Sequence, residues 1–258
     1  MINAAATPSR NATPERAPKR VPRIAALDIA RTLALLAMAV FHFVFDLELF
    51  GFLPAGTVFS PGWRALAIGT AGSFILLAGV GLVLAHGAGI RWPAFWRRFG
   101  LIAAAAAAIS AATWVAMPDS MIFFGILHAI ALMSLIGLVV LRLPVWALLA
   151  LAVFAFTAPW WLSDPVFNAP WLWWTGLQTV AVRSMDYEPV FPWFAPFLVG
   201  MALARVALAR GWVARLAARR TTPLQHWLGW PGRHSLAVYL VHQPVLIALV
   251  WLAAQVLR

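Results

Sequence analysis

Long apolar stretches recur along this chain, and they restrict it to a fold that is built inside a membrane. Hydropathy identifies seven stretches of about 20 residues, the length that an α-helix needs to cross the hydrocarbon of a bilayer. They occupy residues 27–48, 63–86, 97–117, 121–141, 144–162, 190–210 and 234–256. The sequence therefore predicts an all-α, polytopic membrane helix bundle with about seven transmembrane helices, in which residues 27–258 form a single domain.

The composition supports this class of fold and excludes several kinds of chemistry. Of the 258 residues, 63% are hydrophobic and only 10% are charged, whereas soluble domains carry about 25% charged residues. The chain has no cysteine, which excludes disulfides, thiolate catalysis and cysteine-ligated metals. No His-Glu-x-x-His or comparable spacing occurs, so we predict no metal site.

The positive charge indicates membrane topology rather than nucleic-acid binding. The net charge is +11, and with seven spans the arginine-rich segments all fall on one side, which is the cytoplasm by the positive-inside rule. We expect a protein of a bacterial-type inner membrane, with a disordered basic tail at residues 1–26 in the cytoplasm and an extracytoplasmic C-terminus. The opposite side receives the acidic residues Asp46, Glu48, Asp119, Asp164, Asp186 and Glu188.

The first span carries a polar stripe. Because a helix turns by about 100° per residue, Asp28, Arg31, His42 and Asp46 fall near one face, and ionisable groups in a membrane usually face a bundle interior or a wet cavity. His42 and Asp46 are four residues apart and can meet, either as a general base with its orienting carboxylate or as a structural contact between helices. Asp28 and Arg31 fit helix capping and snorkelling as well as phosphate binding.

The last span carries a second polar face beside a helix kink. Ser235, Tyr239 and His242 share this face, and Gln243 lies next to Tyr239. Pro244 cannot donate a backbone hydrogen bond, so it should kink the helix. A kink beside His-Gln at membrane depth predicts a cavity, and the alternative is a packing defect that is closed by an interhelical hydrogen bond.

Two further segments contain candidate residues. His128 lies in the outer half of the fourth span, where a lone histidine fits either a cavity residue or a satisfied interhelical donor. Asp186 and Tyr187 precede the sixth span, and we expect them to rim a site that opens to the outside.

Several of these segments together resemble one family. LDIARTLALLAMAVFHFVFDLELFG and GRHSLAVYLVHQPVLIAL resemble the opening and closing segments of bacterial membrane proteins that bear the catalytic domain of heparan-α-glucosaminide N-acetyltransferase. FILLAGVGL, FGILHAIAL and DYEPVFPWFAPFLVGMALAR are similar to its middle segments, so that the resemblance covers about residues 23–256. Thr32 departs from the pattern, since glycine is usual at that position.

The resemblance implies a membrane-embedded acyltransferase. It implies acyl transfer, expected to be acetyl transfer, from cytoplasmic acyl-CoA to an acceptor, often a sugar, at the other side. In this hypothesis Arg31 and Arg233 meet the phosphates of the donor. His42, oriented by Asp46, deprotonates the acceptor, and His242 assists the proton transfer. The remaining cavity candidates are Asp28, His128, Asp186, Tyr187, Ser235, Tyr239 and Gln243.

Two other interpretations of the same residues remain open at this point. A proton-coupled transporter or channel for a small solute would also place histidines and carboxylates inside a bundle. A membrane protein without enzymatic activity could use the polar stripe only to hold helices together. Besides the lipid bilayer, the expected partners are acyl-CoA and a small-molecule or glycan acceptor.

Overall fold

The computed structural model describes residues 24–257, and it consists of α-helices joined by loops and 3₁₀ turns. The predicted tail at residues 1–26 lies outside the described residues except for its last three positions, and the first helix begins at Ala25. The helices are α1 (Ala25–Leu49), α2 (Pro61–His86), α3 (Trp92–Ala116), α4 (Ile126–Val139), α5 (Val145–Leu162), α6 (Val190–Ala209), α7 (Trp212–Ala218), α8 (Pro223–Leu228), α9 (Trp230–Arg233) and α10 (Ser235–Leu257).

The predicted class of fold is confirmed. Six of the described helices, namely α1, α2, α3, α5, α6 and α10, are long and apolar enough to cross a membrane. Helix α4 is apolar but has only 14 residues, a rise of about 21 Å against roughly 30 Å of hydrocarbon. The chain is therefore an integral membrane protein, and its fourth span is shorter than the sequence predicts.

The fourth helix is short because the chain before it pairs with a distant loop. A 3₁₀ turn at Pro118–Ser120 follows α3, and residues 120–124 then run beside residues 184–188. Met185 N–H donates to the Ser120 carbonyl at 3.0 Å, and Glu188 N–H donates to the Phe124 carbonyl at 3.1 Å. Non-helical backbone is tolerated at membrane depth where protein covers it and its hydrogen bonds are satisfied.

Helices α2 and α6 form the centre of the bundle, and two glycines allow their close approach. A Cβ on Gly79 would collide with the Phe197 carbonyl, and a Cβ on Gly200 would collide with the Leu76 carbonyl. The two backbones therefore touch at places where any side chain would separate them. Helix α5 packs along α6, and α3 packs on α4.

Helix α1 joins this bundle to the C-terminal segment. It packs on α2 at one side and on α9 and α10 at the other. The side chain of Thr32 accepts a hydrogen bond from Gly232 N–H at 2.9 Å and donates to the Asp28 carbonyl at 3.1 Å. A Cβ on Gly232 would strike that same carbonyl. Thr32 thus fastens α9 to the first turns of α1.

Candidate functional site

The polar stripe of α1 faces the interior, as its spacing predicts. Asp28 and Asp46 are buried, together with Leu35 and Met38 between them. Asp46 is 0% exposed, although it lies one turn from the end of α1 and many apolar side chains of this helix are exposed. A fully buried carboxylate in a membrane protein requires partners, and α10 supplies one.

Helix α10 brings its polar face against this stripe. The Gln243 Nε2 group donates a hydrogen bond of 2.8 Å to Asp46 Oδ1. The rings of His42 and His242 meet edge to face, with their centroids 5.0 Å apart and their planes at 82°. Four candidate residues from the two ends of the chain thus form one cluster, which we call the histidine pair site: His42, Asp46, His242 and Gln243.

The expected contact between His42 and Asp46 is replaced by a contact between helices. The i,i+4 spacing allows the two side chains to meet, but no hydrogen bond joins them in the structure. Asp46 Oδ1 is taken by the amide of Gln243, and Oδ2 has no partner among the described residues. An amide donor from a neighbouring helix therefore holds the carboxylate that was expected to orient His42.

The tautomer of His242 follows from a hydrogen bond to the backbone. Its Nδ1 lies 2.5 Å from the backbone carbonyl of Tyr239. A carbonyl can only accept, so Nδ1 must carry the proton, and in the neutral ring Nε2 is then a free acceptor. The Nε2 atom is buried and makes no hydrogen bond with any described residue. His242 is thus presented as a base.

Unpartnered polar atoms are concentrated at this contact. His42 Nδ1, Asp46 Oδ2, His242 Nε2 and Gln243 Oε1 are all buried without a hydrogen-bond partner in the described part of the chain. Buried polar groups are nearly always paired, and each exception calls for an explanation. Four exceptions from two facing helices in one cluster indicate a place that binds a polar ligand.

Tyr239 connects this cluster to the loop before α6. Its ring centroid lies 5.7 Å from that of His242, and its side chain lines a narrow crevice together with Ile109, His128 and Asp186. Tyr239 thus reaches from α10 to the residues of α3 and α4 that line this crevice.

Asp186 and Tyr187, which were expected to rim an outward site, form hydrogen bonds within the fold. Asp186 Oδ2 accepts from Ile126 N–H at 3.0 Å and so caps the start of α4, while burial raises the pKa of its carboxyl to about 6. The Tyr187 hydroxyl donates to the Trp173 carbonyl at 2.6 Å and accepts from Gln178 Nε2 at 2.8 Å. Of the two, only Asp186 lines the crevice.

Glu188 was counted among the acidic residues of the outer side, but it was not among the predicted site residues. Its Oε2 atom is buried without a hydrogen-bond partner among the described residues. Burial, together with the neighbouring charge of Asp186, raises the pKa of its carboxyl to about 9. Near neutral pH Glu188 is therefore protonated. Only its position in an acidic run before α6 could have drawn attention to it.

His128 is a capping residue of α4 with both ring nitrogens occupied. Gly125 N–H donates to Nδ1 at 3.2 Å, so the ring proton is on Nε2, which lies 3.2 Å from Ser110 Oγ. The Ser110 hydroxyl in turn donates to the Ile122 carbonyl at 2.6 Å. This chain of bonds leaves His128 neither a free base nor a free acid, which favours the structural interpretation.

The other predicted residues lie at a different depth. Asp28 and Arg31 form an ion pair of 3.1 Å, and the rise from Arg31 to His42 is about 16 Å. Arg233 lies close to His226, with 3.3 Å between Nη2 and Nε2. Ser235 is the first residue of α10 and lies two turns, or about 10 Å along the helix axis, before His242. The structure thus separates a group of arginines from the histidine pair site.

Comparison with known proteins identifies the type of domain. Residues 23–244 match the family described as heparan-alpha-glucosaminide N-acetyltransferase, catalytic. This match includes α1 to α9 and α10 as far as Pro244, so that every member of the histidine pair site lies within it. No curated protein and no solved structure shows a significant match to the chain.

Proposed function

The chain belongs to the heparan-alpha-glucosaminide N-acetyltransferase catalytic family of membrane acetyltransferases, and from this premise we propose that it moves an acyl group across its bundle. The donor is acyl-CoA, in the first instance acetyl-CoA, which enters from the arginine-rich side. The acceptor is a hydroxyl or amine, of a sugar in the first instance, which enters from the acidic side. In a bacterial-type inner membrane these sides are the cytoplasm and the exterior.

The observation that carries this proposal is the cluster of unpartnered polar atoms where α1 meets α10. Acyl transfer needs a base at the acceptor and polar groups that hold the reacting atoms, because the acceptor must lose a proton as it attacks. His242 Nε2 meets the first need, since its ring is fixed with that atom free. His42 Nδ1 and Gln243 Oε1 meet the second.

The proposed reaction uses these groups in a balanced sequence. The acceptor oxygen or nitrogen forms a bond with the thioester carbon as His242 Nε2 takes its proton. The bond from carbon to sulfur then breaks, and the thiolate of CoA receives that proton from the imidazolium. Asp46, held by Gln243, offsets the positive charge that His242 carries between the two steps. His42 holds the acceptor by a hydrogen bond.

The arginines suit the donor end of this reaction. Arg31 lies about 16 Å along α1 from His42, and Arg233 lies on α9, which packs against the same end of α1. Guanidinium groups bind phosphates through charge-assisted hydrogen bonds. We propose that Arg31 and Arg233 meet the phosphorylated end of the donor while the thioester reaches the histidine pair site. The family match gives no support to the alternative, a proton-coupled transporter or channel.

Replacement of His242 tests the proposed chemistry. We expect His242→Ala to lower the rate constant of acyl transfer by about 10²–10⁴-fold, the usual contribution of a general base. Affinity for acyl-CoA and the melting temperature should change little. His234→Ala is a matched control, because His234 is a histidine next to α10 whose ring contacts Trp230 at the start of α9. Transfer at the wild-type rate by a folded His242→Ala protein would contradict the proposal.

A further inference from the structure

Arg98 on α3 is a cation that has no role in the proposed reaction. Its guanidinium group approaches that of Arg31 beside the backbone of α2. A Cβ built on Gly81 would lie 3.7 Å from Arg31 Nη2 and 3.9 Å from Arg98 Nη1. The guanidinium groups of α1 and α3 therefore converge on one spot of the α2 backbone that has no side chain. All three residues lie about 8–9 Å from the ends of their helices on the arginine-rich side.

Arg98 has no counter-charge among the described residues. Arg31 is paired with Asp28 at 3.1 Å, but between residues 24 and 257 no carboxylate lies within ion-pair distance of Arg98 and no acceptor bonds its guanidinium. The side chain of Arg98 is exposed, and it lines a cleft with Phe95, Phe99 and Ser134. The charge of Arg98 thus lies uncompensated at membrane depth, where charge is expensive, and a bound anion would remove that cost.

We propose that Arg31 and Arg98 together bind the pyrophosphate of the acyl-CoA donor, beside Gly81. This inference rests on the proposed function and adds Arg98 as a binding residue. The pantetheine arm contains about thirteen bonds from sulfur to phosphorus and spans about 16 Å when extended. The rise from Arg31 to His42 is also about 16 Å. A donor whose pyrophosphate lies at Gly81 therefore brings its thioester to the histidine pair site.

Gly81 suits this role because it leaves the spot open. An alanine there would make only ordinary contacts with the two guanidinium groups, so the backbone does not require glycine. A longer side chain would occupy the space between them. An aspartate would place its carboxylate within reach of both arginines and would mimic the bound phosphate.

Binding measurements on purified protein in detergent test the site with three probes. CoA carries the 3′-phosphate and the pyrophosphate, dephospho-CoA keeps only the pyrophosphate, and pantetheine has neither. We expect Arg98→Gln to weaken CoA and dephospho-CoA binding by roughly 10-fold or more, since a hydrogen bond to a charged group contributes about 1.5–3 kcal/mol. Pantetheine binding should not change.

Arg97→Gln is the matched control. Arg97 precedes Arg98 on α3 and points about 100° away around the helix, and it is absent from the surroundings of Gly81. Its replacement removes the same charge from the same helix end. Because Arg97 does not lie at Gly81, the affinity for all three probes should stay unchanged. An equal loss of affinity in Arg97→Gln and Arg98→Gln would indicate a general effect of charge and would overturn the site.

Gly81→Asp supplies an internal anion and keeps the proposal testable if Arg98→Gln folds poorly. We expect this variant to melt at or above the wild-type temperature and to lose CoA and dephospho-CoA binding by roughly 10-fold or more. Unchanged CoA affinity in folded Gly81→Asp or Arg98→Gln protein would reject the pyrophosphate site. A loss that is seen with CoA but not with dephospho-CoA would place the 3′-phosphate there instead and would also reject it.

The outcomes separate this inference from the proposed function. If wild-type protein binds none of the three probes, the proposed acyl-CoA donor fails. If wild-type protein binds CoA and the variants bind it equally well, only the site at Gly81 fails. The phosphate of a lipid headgroup could also bind two arginines, and then the effect of Arg98→Gln on CoA binding would vanish in detergent freed of lipid, which would likewise overturn the proposal.

Discussion

At the scale of single residues, hydrogen-bond direction distinguishes two histidines that look alike in the sequence. His128 accepts at one ring nitrogen and donates at the other, so it has no free atom for chemistry. His242 uses only Nδ1 and leaves Nε2 buried and free of any partner among the described residues. In both cases a neighbouring backbone group, rather than a second side chain, fixes the tautomer.

The capping role of His128 predicts a loss of stability without a loss of chemistry. His128→Leu should reduce the free energy of unfolding by about 0.5–2 kcal/mol, as the loss of a helix cap does. His128→Gln should retain most of it, because glutamine at the third helical position can serve as a capping partner. Melting temperature and transfer rate per folded molecule check this. A stable His128→Leu protein that has lost transfer would make His128 catalytic after all.

At the scale of helices, close packing at the centre depends on two glycines whose neighbours are backbone atoms. Gly79 and Gly200 sit where α2 and α6 touch, and the obstructing atoms belong to carbonyl groups that cannot rotate away. Gly69, on the same helix as Gly79, is exposed and has nothing near its missing Cβ. Gly69 and Gly79 are therefore not equivalent, although both lie on α2.

This contrast gives a prediction with an internal control. Gly79→Ala should lower the free energy of unfolding by about 1–3 kcal/mol or more, because the helices must separate to admit the methyl group. Gly69→Ala should raise it by up to about 1 kcal/mol, since alanine is the better helix former. Thermal unfolding in one detergent compares the two. Equal effects of both substitutions would mean that the backbone contact does not limit the packing.

The loop before α6 contains two carboxyl groups, those of Asp186 and Glu188, whose protonation makes the stability of the fold depend on pH. Burial raises the pKa of Glu188 to about 9 and that of Asp186 to about 6. A carboxyl with a raised pKa binds its proton more tightly in the folded state. Its stabilising contribution is complete below the ordinary pKa of about 4 and is lost as pH rises through the raised value.

Stability is therefore expected to fall as the pH rises from about 6 to about 9. Glu188→Gln should flatten this dependence, because the amide resembles the protonated carboxyl and cannot ionise. The melting temperature of both proteins, measured at intervals across that range, checks the prediction. If the wild-type protein were as stable at the upper end of this range as at the lower end, or if Glu188→Gln kept the same slope, Glu188 would not be the group responsible.

At the scale of the whole molecule, the positions of the charges predict how the bundle lies in its membrane. Arg91, Arg97 and Arg98 mark one end of the bundle, which is the end where α9 packs on the start of α1. The loops that carry Asp119 and Asp186 are hydrogen-bonded to each other at the opposite end. The two ends differ in charge, as the positive-inside rule requires of opposite membrane faces.

A topology experiment tests the sidedness that the proposed reaction needs. A reporter fused after Arg258 should be extracytoplasmic, and a reporter inserted near Arg215 should be cytoplasmic, because seven spans and the arginine distribution demand it. Two reporter enzymes give the readout, one that is active only in the cytoplasm and one that is active only outside it. Both fusions on one side would contradict a seven-span arrangement, and an exchange of the two sides would place the donor arginines outside.

Much of the fold was predictable because it depends on local hydrophobicity. Predicted spans such as 144–162 and 190–210 agree with α5 and α6 to within one residue at either end. The fourth span was predicted too long, since residues 121–125 are apolar enough to belong to it. Their backbone instead bonds a loop about 60 residues away, and hydropathy contains no information about such pairing.

The sequence by itself determined which residues face inward, because helical periodicity is a local property. The stripe from Asp28 to Asp46 and the face from Tyr239 to Gln243 both follow from the spacing of polar residues along one helix. It also determined the class of membrane protein and, through the opening and closing segments, the family. Each of these conclusions needs only the spacing or the identity of residues within one stretch of chain.

Only the tertiary structure decided which partner each polar group has. Asp46 could reach His42 within its own helix, yet it bonds Gln243 from α10, because the approach of a second helix brings a competing donor. The meeting of Arg31 and Arg98 beside Gly81 and the burial of Glu188 also depend on contacts between distant segments. Hydrogen-bond partners and electrostatic neighbours are set by packing in three dimensions, and periodicity along one helix cannot specify them.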